Sequence, residues 1–521
     1  MVNIRQIVFS ILSTYLPIQL FNPASTNPTY EPKSIAIVGA GSGGLAMLKT
    51  ILDLPEETRE RLQFVLYDER DDVGGVWLPD PRTVLPPEIP LTPLYPLLHT
   101  NTPIPSMSYP GFPFMPGTPL YPSHEHIQAY HRRYATHFKL LPYIRFQHRV
   151  LQSHWVGTSS KGWWNITIRD AEGEIQQQAF DHLIIATGNN HFPRIPIWPG
   201  EDEWLESSSN YGPRREILHS IYYREPERYL NRSVLIVGNG ASGRDAAIQV
   251  GPIARKTYVS VRHDAEIPEH VEVKPEISHF TADGVVFRDG SLVQVDSVLL
   301  GTGYELRKPF LDEGRAITTD PSAHSNSSAT DGLVTNLRYI FPLHKHILSL
   351  CPSYPTNALA FLGLPTVIAN CPSDIAQSLF ALHAILHPEI FPSREELLKE
   401  LAAYEQHVRQ EGFDPYVIGH RQLNGTSSDY QDDLVDFLKR KNAIPDDGKK
   451  FVEGWRRDIF DYVYLKRGWQ RIESLGTGKE WVKDVKTEEE WADLMRRVNA
   501  WQKNWEDEHN VPFSHELDLA G

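Results

Sequence analysis

Two glycine clusters carry the clearest chemistry in the chain: Gly39-Ala-Gly41-Ser-Gly-Gly44 and Gly238-Asn-Gly240-Ala-Ser-Gly243. A GxGxxG run that opens a helix brings bare backbone N–H groups and the positive end of the helix dipole to one point, which suits a pyrophosphate. In the first cluster Gly39 permits the tight turn, Gly41 lets phosphate approach the backbone, and Gly44 lets the helix pack on the preceding strand. Asp68 follows Gly44 by 24 residues and is placed to accept hydrogen bonds from a ribose diol. In the second cluster Arg262 stands where such an acid would be. A carboxylate would repel a ribose 2′-phosphate and an arginine can pair with it, so the second site favours NADPH over NADH. An arginine at this place can equally be one half of a surface salt bridge. With 34 glycines in 521 residues, one such run arises by chance about 0.14 times, so two independent copies are a roughly one-in-a-hundred event. Two nucleotide sites in one chain imply an electron relay, in which a nicotinamide reduces a second, tightly held cofactor, most economically a flavin.

The elements that must position these turns are legible nearby. Ser34-Ile-Ala-Ile-Val38 is a short buried-strand run, the apolar stretch from Leu45 to Leu54 is helical, and Gln63-Phe-Val-Leu-Tyr67 is the next strand, ending on Asp68. A second βαβ unit begins at Ser233-Val-Leu-Ile-Val237, has Tyr258-Val-Ser-Val-Arg262 as its second strand, and closes at Asp296-Ser-Val-Leu-Leu-Gly-Thr-Gly303. Asp181-His-Leu-Ile-Ile-Ala-Thr-Gly188 is a further buried strand, and its Ala186-Thr187-Gly188 end matches Gly301-Thr-Gly303 as a turn between the modules. Residues 79–122 hold 14 prolines, which predicts extended irregular chain of the kind that binds or covers a site. A helix is expected from Ser123 to about Phe138, a surface loop over 315–332, and charged, Trp-bearing helices from Ser393 to about Asn510, their Trp residues read as packing.

Composition excludes several classes. Net charge is −15, which removes the usual electrostatic footprint of a nucleic-acid binder but leaves room for a local cationic pocket for phosphate. Cys351 and Cys371 form neither a CxxC pair nor a zinc spacing; their separation would allow a disulfide without arguing for one. His124-x-His126 and His344-x-His346 have no third ligand spaced nearby and read as capping or solvated histidines. No GxSxG and no HExxH is present, so hydrolase readings have no anchor. The apolar stretch Ile7 to Phe21, after Arg5 and before Ala24 and Ser25, is too short and polar for a membrane span and reads as a signal peptide, with a buried N-terminal segment as the alternative. With the sequons at Asn165, Asn231, Asn326 and Asn424, this gives an expectation of the secretory pathway, the cytoplasm being the alternative.

Several segments together resemble the flavin-containing monooxygenase family, class B flavoprotein monooxygenases. Asp68-Glu-Arg-Asp-Asp-Val-Gly-Gly-Val-Trp77 is similar to the family's acid followed by a GGxW segment. Thr100-Asn101 before Tyr109-Pro-Gly-Phe-Pro113 resembles its Thr-Asn flavin element, and Asp296-x3-Leu300-Gly-Thr-Gly-Tyr304-x4-Pro309 resembles the link back to the FAD domain, with Gly301 where Ala is usual. Leu359 to Pro365 and Pro372 to Gln377 are similar to a later FAD-domain segment, so the resemblance runs from about Ser34 to His387. The identifying sequence FxGxxxHxxx(Y/F) is half present: His219 and Tyr223 fit, whereas Pro213 and Arg215 replace Phe and Gly.

The resemblance implies an α/β fold with two Rossmann-like dinucleotide-binding domains: a larger three-layer FAD domain, 31–200 and 304–390, with a smaller NADPH domain, 201–303, inserted. A helical C-terminal region, 391–521, would cover the FAD and substrate site. FAD would be held by Gly39, Ala40, Gly41, Ser42, Gly43, Gly44, Asp68, Val76, Trp77, Thr100, Asn101, Thr187 and Gln377, and NADPH by Gly238, Gly240, Ser242, Gly243, Arg244 and Arg262. NADPH would reduce FAD, O2 would add to give a C4a-(hydro)peroxyflavin, and one oxygen atom would pass to a nucleophilic nitrogen or sulfur of a small molecule. Asn101 would be the catalytic side chain, donating its amide to the flavin site; a turn-capping role is the alternative. Baeyer–Villiger oxygenation of a ketone and a flavin-binding, NADPH-sensing protein with little turnover are the competing functions. Tyr223, where Baeyer–Villiger enzymes generally carry Trp, favours heteroatom oxygenation.

Overall fold

The run Ile35-Ala36-Ile37-Val38 is apolar on both faces because both faces are covered. It belongs to the strand Lys33–Val38, which pairs in parallel with Leu62–Tyr67 on one side and His182–Ile185 on the other. The sheet has seven strands, in the order Leu343–His344, Leu348–Ser349, Leu359–Phe361, His182–Ile185, Lys33–Val38, Leu62–Tyr67 and Ile144–Arg145. Ile35 and Ile37 face the helices Ser42–Leu52 and Asn370–Leu386, in a core with Leu45, Leu48 and Leu379. Ala36 and Val38 point the other way, onto Trp164, Ile166 and Ile168. Those three residues lie on a three-stranded antiparallel sheet, Arg149–Gly157, Gly162–Arg169 and Ile175–Phe180. The larger domain is therefore three layers, with a β-meander rather than helices on its second face. The computed structural model describes residues 33–207, 214–263, 267–268, 270–326, 332–423 and 425–511.

The inserted module repeats this plan at smaller scale. Its five strands are all parallel, in the order Val271–Lys274, Lys256–Ser260, Ser233–Val237, Ser297–Leu300 and Glu216–His219. One face carries the helix Ala241–Val250, packed through Ala246, Ala247 and Val250 onto Val234 and Ile236. The other carries a small antiparallel sheet and the helix Glu201–Glu206, whose Trp204 is fully buried with Leu235 and Phe280. The chain enters and leaves along one two-stranded ribbon, Phe192–Pro193 against Tyr304–Glu305. Arg194 tightens that ribbon, its N–H donating to the Gly303 carbonyl at 2.9 Å and its guanidinium to the Tyr304 carbonyl at 3.1 Å.

The proline-rich stretch forms no ladder and contains one short helix, Ile104–Met107. Rings order it instead. Tyr109 stacks on Tyr134 and Phe114 on Tyr130, each pair with centroids 3.9 Å apart, so the segment lies on the helix His124–His137. The C-terminal helices hold it from outside: Arg456 donates to the Pro105 carbonyl at 2.6 Å and to Ser108 Oγ at 3.1 Å, and pairs with Glu488 at 2.9 Å. Capping boxes at Ser393/Glu396 and Thr487/Glu490 open the helices Arg394–Gln410 and Glu488–Glu508.

Two expectations change. The 315–332 stretch is not wholly loop, because Ile317 is buried and the strand Ile317–Thr319 pairs in parallel with Leu333–Thr335. The second strand of the inserted unit ends at Ser260, leaving Arg262 two residues beyond it. Cys351 and Cys371 are free, buried thiols, and no disulfide joins them. The signal-peptide segment, Pro213, Asn424 and part of the Asn326 sequon lie outside the described residues. Among the described residues no helix is long and apolar enough to cross a membrane.

Candidate functional site

The first phosphate turn is closed around Gly39 and Gly44, where no side chain fits. Gly39 has φ +106°, and a Cβ there would lie 2.4 Å from the Ala186 carbonyl oxygen; a Cβ on Gly44 would lie 1.9 Å from that of Gly39. Gly41 caps the helix Ser42–Leu52 without a side-chain hydrogen bond, so the first-turn N–H groups of Ser42, Gly43 and Gly44 are left for a ligand. Ala40 donates its N–H to Asp68 Oδ2 at 2.5 Å and Arg70 donates to Asp68 Oδ1 at 2.8 Å, which fixes the carboxyl at the end of its strand. Burial pushes the Asp68 carboxyl up to about 6, against those two backbone donors.

The segment predicted to lie over the flavin is tied to this turn. Gly74 donates its N–H to the Ala40 carbonyl at 3.0 Å, and Val76 and Trp77 follow in a 3-10 turn whose Val76 carbonyl accepts from Thr92 Oγ1 at 2.6 Å. Thr100 donates its N–H to the Pro122 carbonyl, while its buried Oγ1 has no partner. Asn101 follows on an exposed bend, and its side chain makes no hydrogen bond to the described residues. Thr187 and Gln377 point inward to protein partners instead. Thr187 Oγ1 accepts from Lys308 Nζ at 3.0 Å; Gln377 Oε1 accepts from the Gly363 N–H at 3.0 Å and its Nε2 donates to Ser373 Oγ at 2.7 Å. Asp374 completes this wall: its carboxyl lies against Gly43 and Gly363, is 2% exposed, and is pushed up to about 7 by burial, with a hydrogen bond from Ser42 opposing.

The second turn has the same geometry and different surroundings. Gly238 has φ +97°, and its Cβ would meet the Gly301 carbonyl oxygen at 2.7 Å; a Cβ on Gly243 would lie 2.0 Å from that of Gly238. Gly240 caps the helix Ala241–Val250 without a side-chain bond, and Ser242 and Arg244 sit half-buried in its first turn. Arg262 is 73% exposed and bonds Glu276 at 3.1 Å, and Glu276 also holds Arg288. The salt-bridge alternative is what this side chain shows, held by Glu276 and lying two residues beyond the second strand. His219 donates from Nε2 to the Gly303 carbonyl at 2.9 Å and accepts the Ile221 N–H at Nδ1. Burial holds this imidazole neutral, near 4. Tyr223 bonds Gln249 at 2.8 Å, Gln249 bonds Asp245 at 2.8 Å, and Asp245 accepts from Tyr95 of the proline-rich segment, so the two modules touch through a polar relay.

Sequence reasoning missed Arg194, Arg338, Asp374 and Lys308. Burial, then the nearness of Arg338 and Arg262, holds the Arg194 guanidinium below its usual value, against the pull of Glu305. Arg194 and Arg338 come from two separate segments outside the glycine runs, so no motif announces them. Arg215, which departs from the expected glycine, reaches the Trp204 and Ala282 carbonyls at 2.9 and 2.8 Å.

A sequence profile of the FMO-like family, flavin-binding monooxygenase-like, matches residues 32–271. The match covers just under half of the chain, across the first phosphate turn and most of the inserted module. Flavin-containing monooxygenase FMO GS-OX5 of Arabidopsis thaliana is 26% identical over 490 residues, covering 89% of this chain and 95% of its own length. FMO GS-OX4 of the same plant is 27% identical over 490 residues, covering 89% and 94%. S-allyl-L-cysteine S-oxygenase from Allium sativum superposes with a TM-score of 0.67 at 23% identity, over 91% of this chain and 99% of its own. Cyclohexanone monooxygenase from Rhodococcus sp. Phi1, bound to NADP+, superposes at 0.52 and 14% identity, over 79% and 98%. These likenesses show the fold, an α/β architecture with two dinucleotide-binding domains and a helical C-terminal region. The family match and these likenesses together support a flavin monooxygenase and imply FAD and NADPH as cofactors. The residues present fit two dinucleotides: both turns have the required glycines, both helix starts are uncapped, and Thr100 leaves a buried hydroxyl unpaired.

Proposed function

We propose that this flavin monooxygenase uses NADPH and O2 to transfer one oxygen atom to a nucleophilic nitrogen or sulfur of a small molecule. The observation that carries the reading is the pair of matched turns with opposite charges at their second strands, Asp68 beside the first and Arg262 beside the second. When bound, FAD supplies the redox and oxygen-activating chemistry, which is why no nucleophile triad is needed. The chain's own residues bind, orient and exclude water. The backbone of Gly39 to Gly44 would hold the FAD pyrophosphate, Asp68 would accept from ribose hydroxyls, and Val76, Trp77, Thr100 and Asn101 would face the ring system. Gly238, Gly240, Ser242, Gly243 and Arg244 would hold the NADPH phosphates, with Arg262 exchanging Glu276 for the 2′-phosphate. Water exclusion falls to the ring-packed 104–121 segment under the Arg456 clamp. Sulfur is favoured as acceptor by the likeness to the S-allyl-L-cysteine S-oxygenase, and Tyr223 agrees with a heteroatom acceptor. The test is anaerobic addition of NADPH to the yellow protein, followed by air, with paired sulfide and ketone substrates. Bleaching, recovery in air and sulfoxide formation are expected; lactone or ester from the ketone would move the chain to the Baeyer–Villiger class, and no bleaching would overturn the reading.

A further inference from the structure

Lys308 is the odd ionisable group of this molecule. Its side chain is 4% exposed, and Nζ donates to Thr187 Oγ1 at 3.0 Å, the Gly188 carbonyl at 2.6 Å and Asn189 Oδ1 at 3.1 Å. Three acceptors surround it, the number an ammonium serves in full, while burial pulls its pKa down to about 7, so the ammonium is the form held at and below neutral pH. All three acceptors are uncharged, and among the described residues no carboxylate pairs with it. Glu305, three residues before it in the chain, is paired with Arg307 at 2.6 Å, and the nearby His420, held neutral by burial and by His346 and Lys308, offers no negative charge. Burying a charge without a counter-charge is costly, and an apolar residue of the same volume would pack at least as stably. Stability alone therefore does not account for Lys308.

Its position does. The three acceptors form the turn after the strand His182–Ile185, directly behind the first phosphate turn, since Gly39 abuts Ala186 and Thr187. Asn189 passes the contact on, its Nδ2 donating to the Gly363 carbonyl at 2.7 Å, and Gly363 is the residue held by Gln377 and faced by Asp374. Lys308 itself caps the short helix Pro309–Glu313, a few residues after the ribbon strand Tyr304–Glu305 that leaves the inserted module. One ammonium thus pins the module's exit to two backbone turns around the first site.

We propose that Lys308 is a positioning residue for FAD: its charge holds the Thr187-Gly188-Asn189 turn, and through Asn189 the Gly363 turn, in the conformation that retains the cofactor. This rests on the assignment of FAD to the first turn. The test uses holoprotein of wild type, Lys308→Met, Lys308→Arg and Asn189→Ala, with FAD release on dilution read as free-flavin fluorescence. Unfolding is followed separately by fluorescence of the chain's 12 Trp residues. Lys308→Met is expected to release FAD about tenfold or more readily, the scale of losing one charge-assisted contact, with an unfolding midpoint equal to or above wild type. Lys308→Arg should restore most of the retention, and Asn189→Ala should lose part of it, which stands as the measure if Lys308→Met does not fold. Retention within twofold of wild type in Lys308→Met, or equal loss in the Met and Arg variants, would overturn the proposal. A wild-type chain that takes up no FAD would overturn the site assignment and the proposal together.

Discussion

The two phosphate turns share a backbone and differ in what closes them. At the first, the acid is buried and locked by two backbone donors, and the walls come from residues 74–77, 186–189, 363 and 374–377. At the second, the cation is exposed and already held by Glu276, and Gly301 is the neighbour that closes the turn. A ligand enclosed by four such segments would be released only when several of them move together. A ligand met by one local turn and an exchangeable arginine can come and go. The contrast matches a resident cofactor in one site and a travelling one in the other.

The largest effect should come from filling the first turn. Gly41→Val has room for its first added carbon, which meets Gly75 Cα at an ordinary 3.6 Å, but it occupies the side where phosphate must approach. FAD occupancy should fall roughly a hundredfold, equal to about 3 kcal/mol of phosphate contacts; purified variant with stoichiometric FAD would break the comparison at its root. A smaller effect is expected at the second turn. Arg262→Ala should raise KM for NADPH roughly tenfold, the lower end of a charge-assisted contact, because Arg262 must first leave Glu276. KM for NADH should stay nearly constant, and equal losses for both coenzymes would make Arg262 purely structural.

The smallest effect is a pH dependence with two opposite signs. The Asp68 pKa is raised in the folded chain to about 6, so the buried ionised form costs stability. Its stabilising contribution is fully present below the unfolded value of 3.8 and is lost as pH rises through about 6. FAD binding should run the other way, since the carboxylate is the better acceptor for ribose hydroxyls, and affinity should fall a few-fold as pH drops through about 6. Asp68→Asn should flatten that part of both profiles, measured by urea midpoint of FAD-free protein and by FAD titration. A profile unchanged in the variant would show that Asp68 faces no ligand.

Both turns were legible because their signal is local. A strand, three glycines at fixed offsets and a helix occupy about a dozen consecutive residues, and the clash of a Cβ on Gly44 with the Gly39 carbonyl oxygen is set by that short stretch alone. Asp68 and Arg262 were legible for the same reason, being one strand further on. The β-meander of 149–180 was not, because the face of the sheet it covers is set by packing and not by its own residues. Thr187 and Gln377 were found by resemblance, yet their side chains serve the protein's own turns.

The sequence by itself determined the two nucleotide turns, the acid and the cation beside them, and the proline-rich segment that could be neither helix nor central strand. Only the tertiary structure decided what stands behind those turns. Lys308 meets Thr187 across 121 positions of chain, Asn189 meets Gly363 across 174, and Arg456 meets Pro105 across 351. Such contacts follow from the stacking of layers. The chemistry of a buried charge is fixed by the solvent it loses and the partners it finds, and neither is a property of its neighbours in the chain.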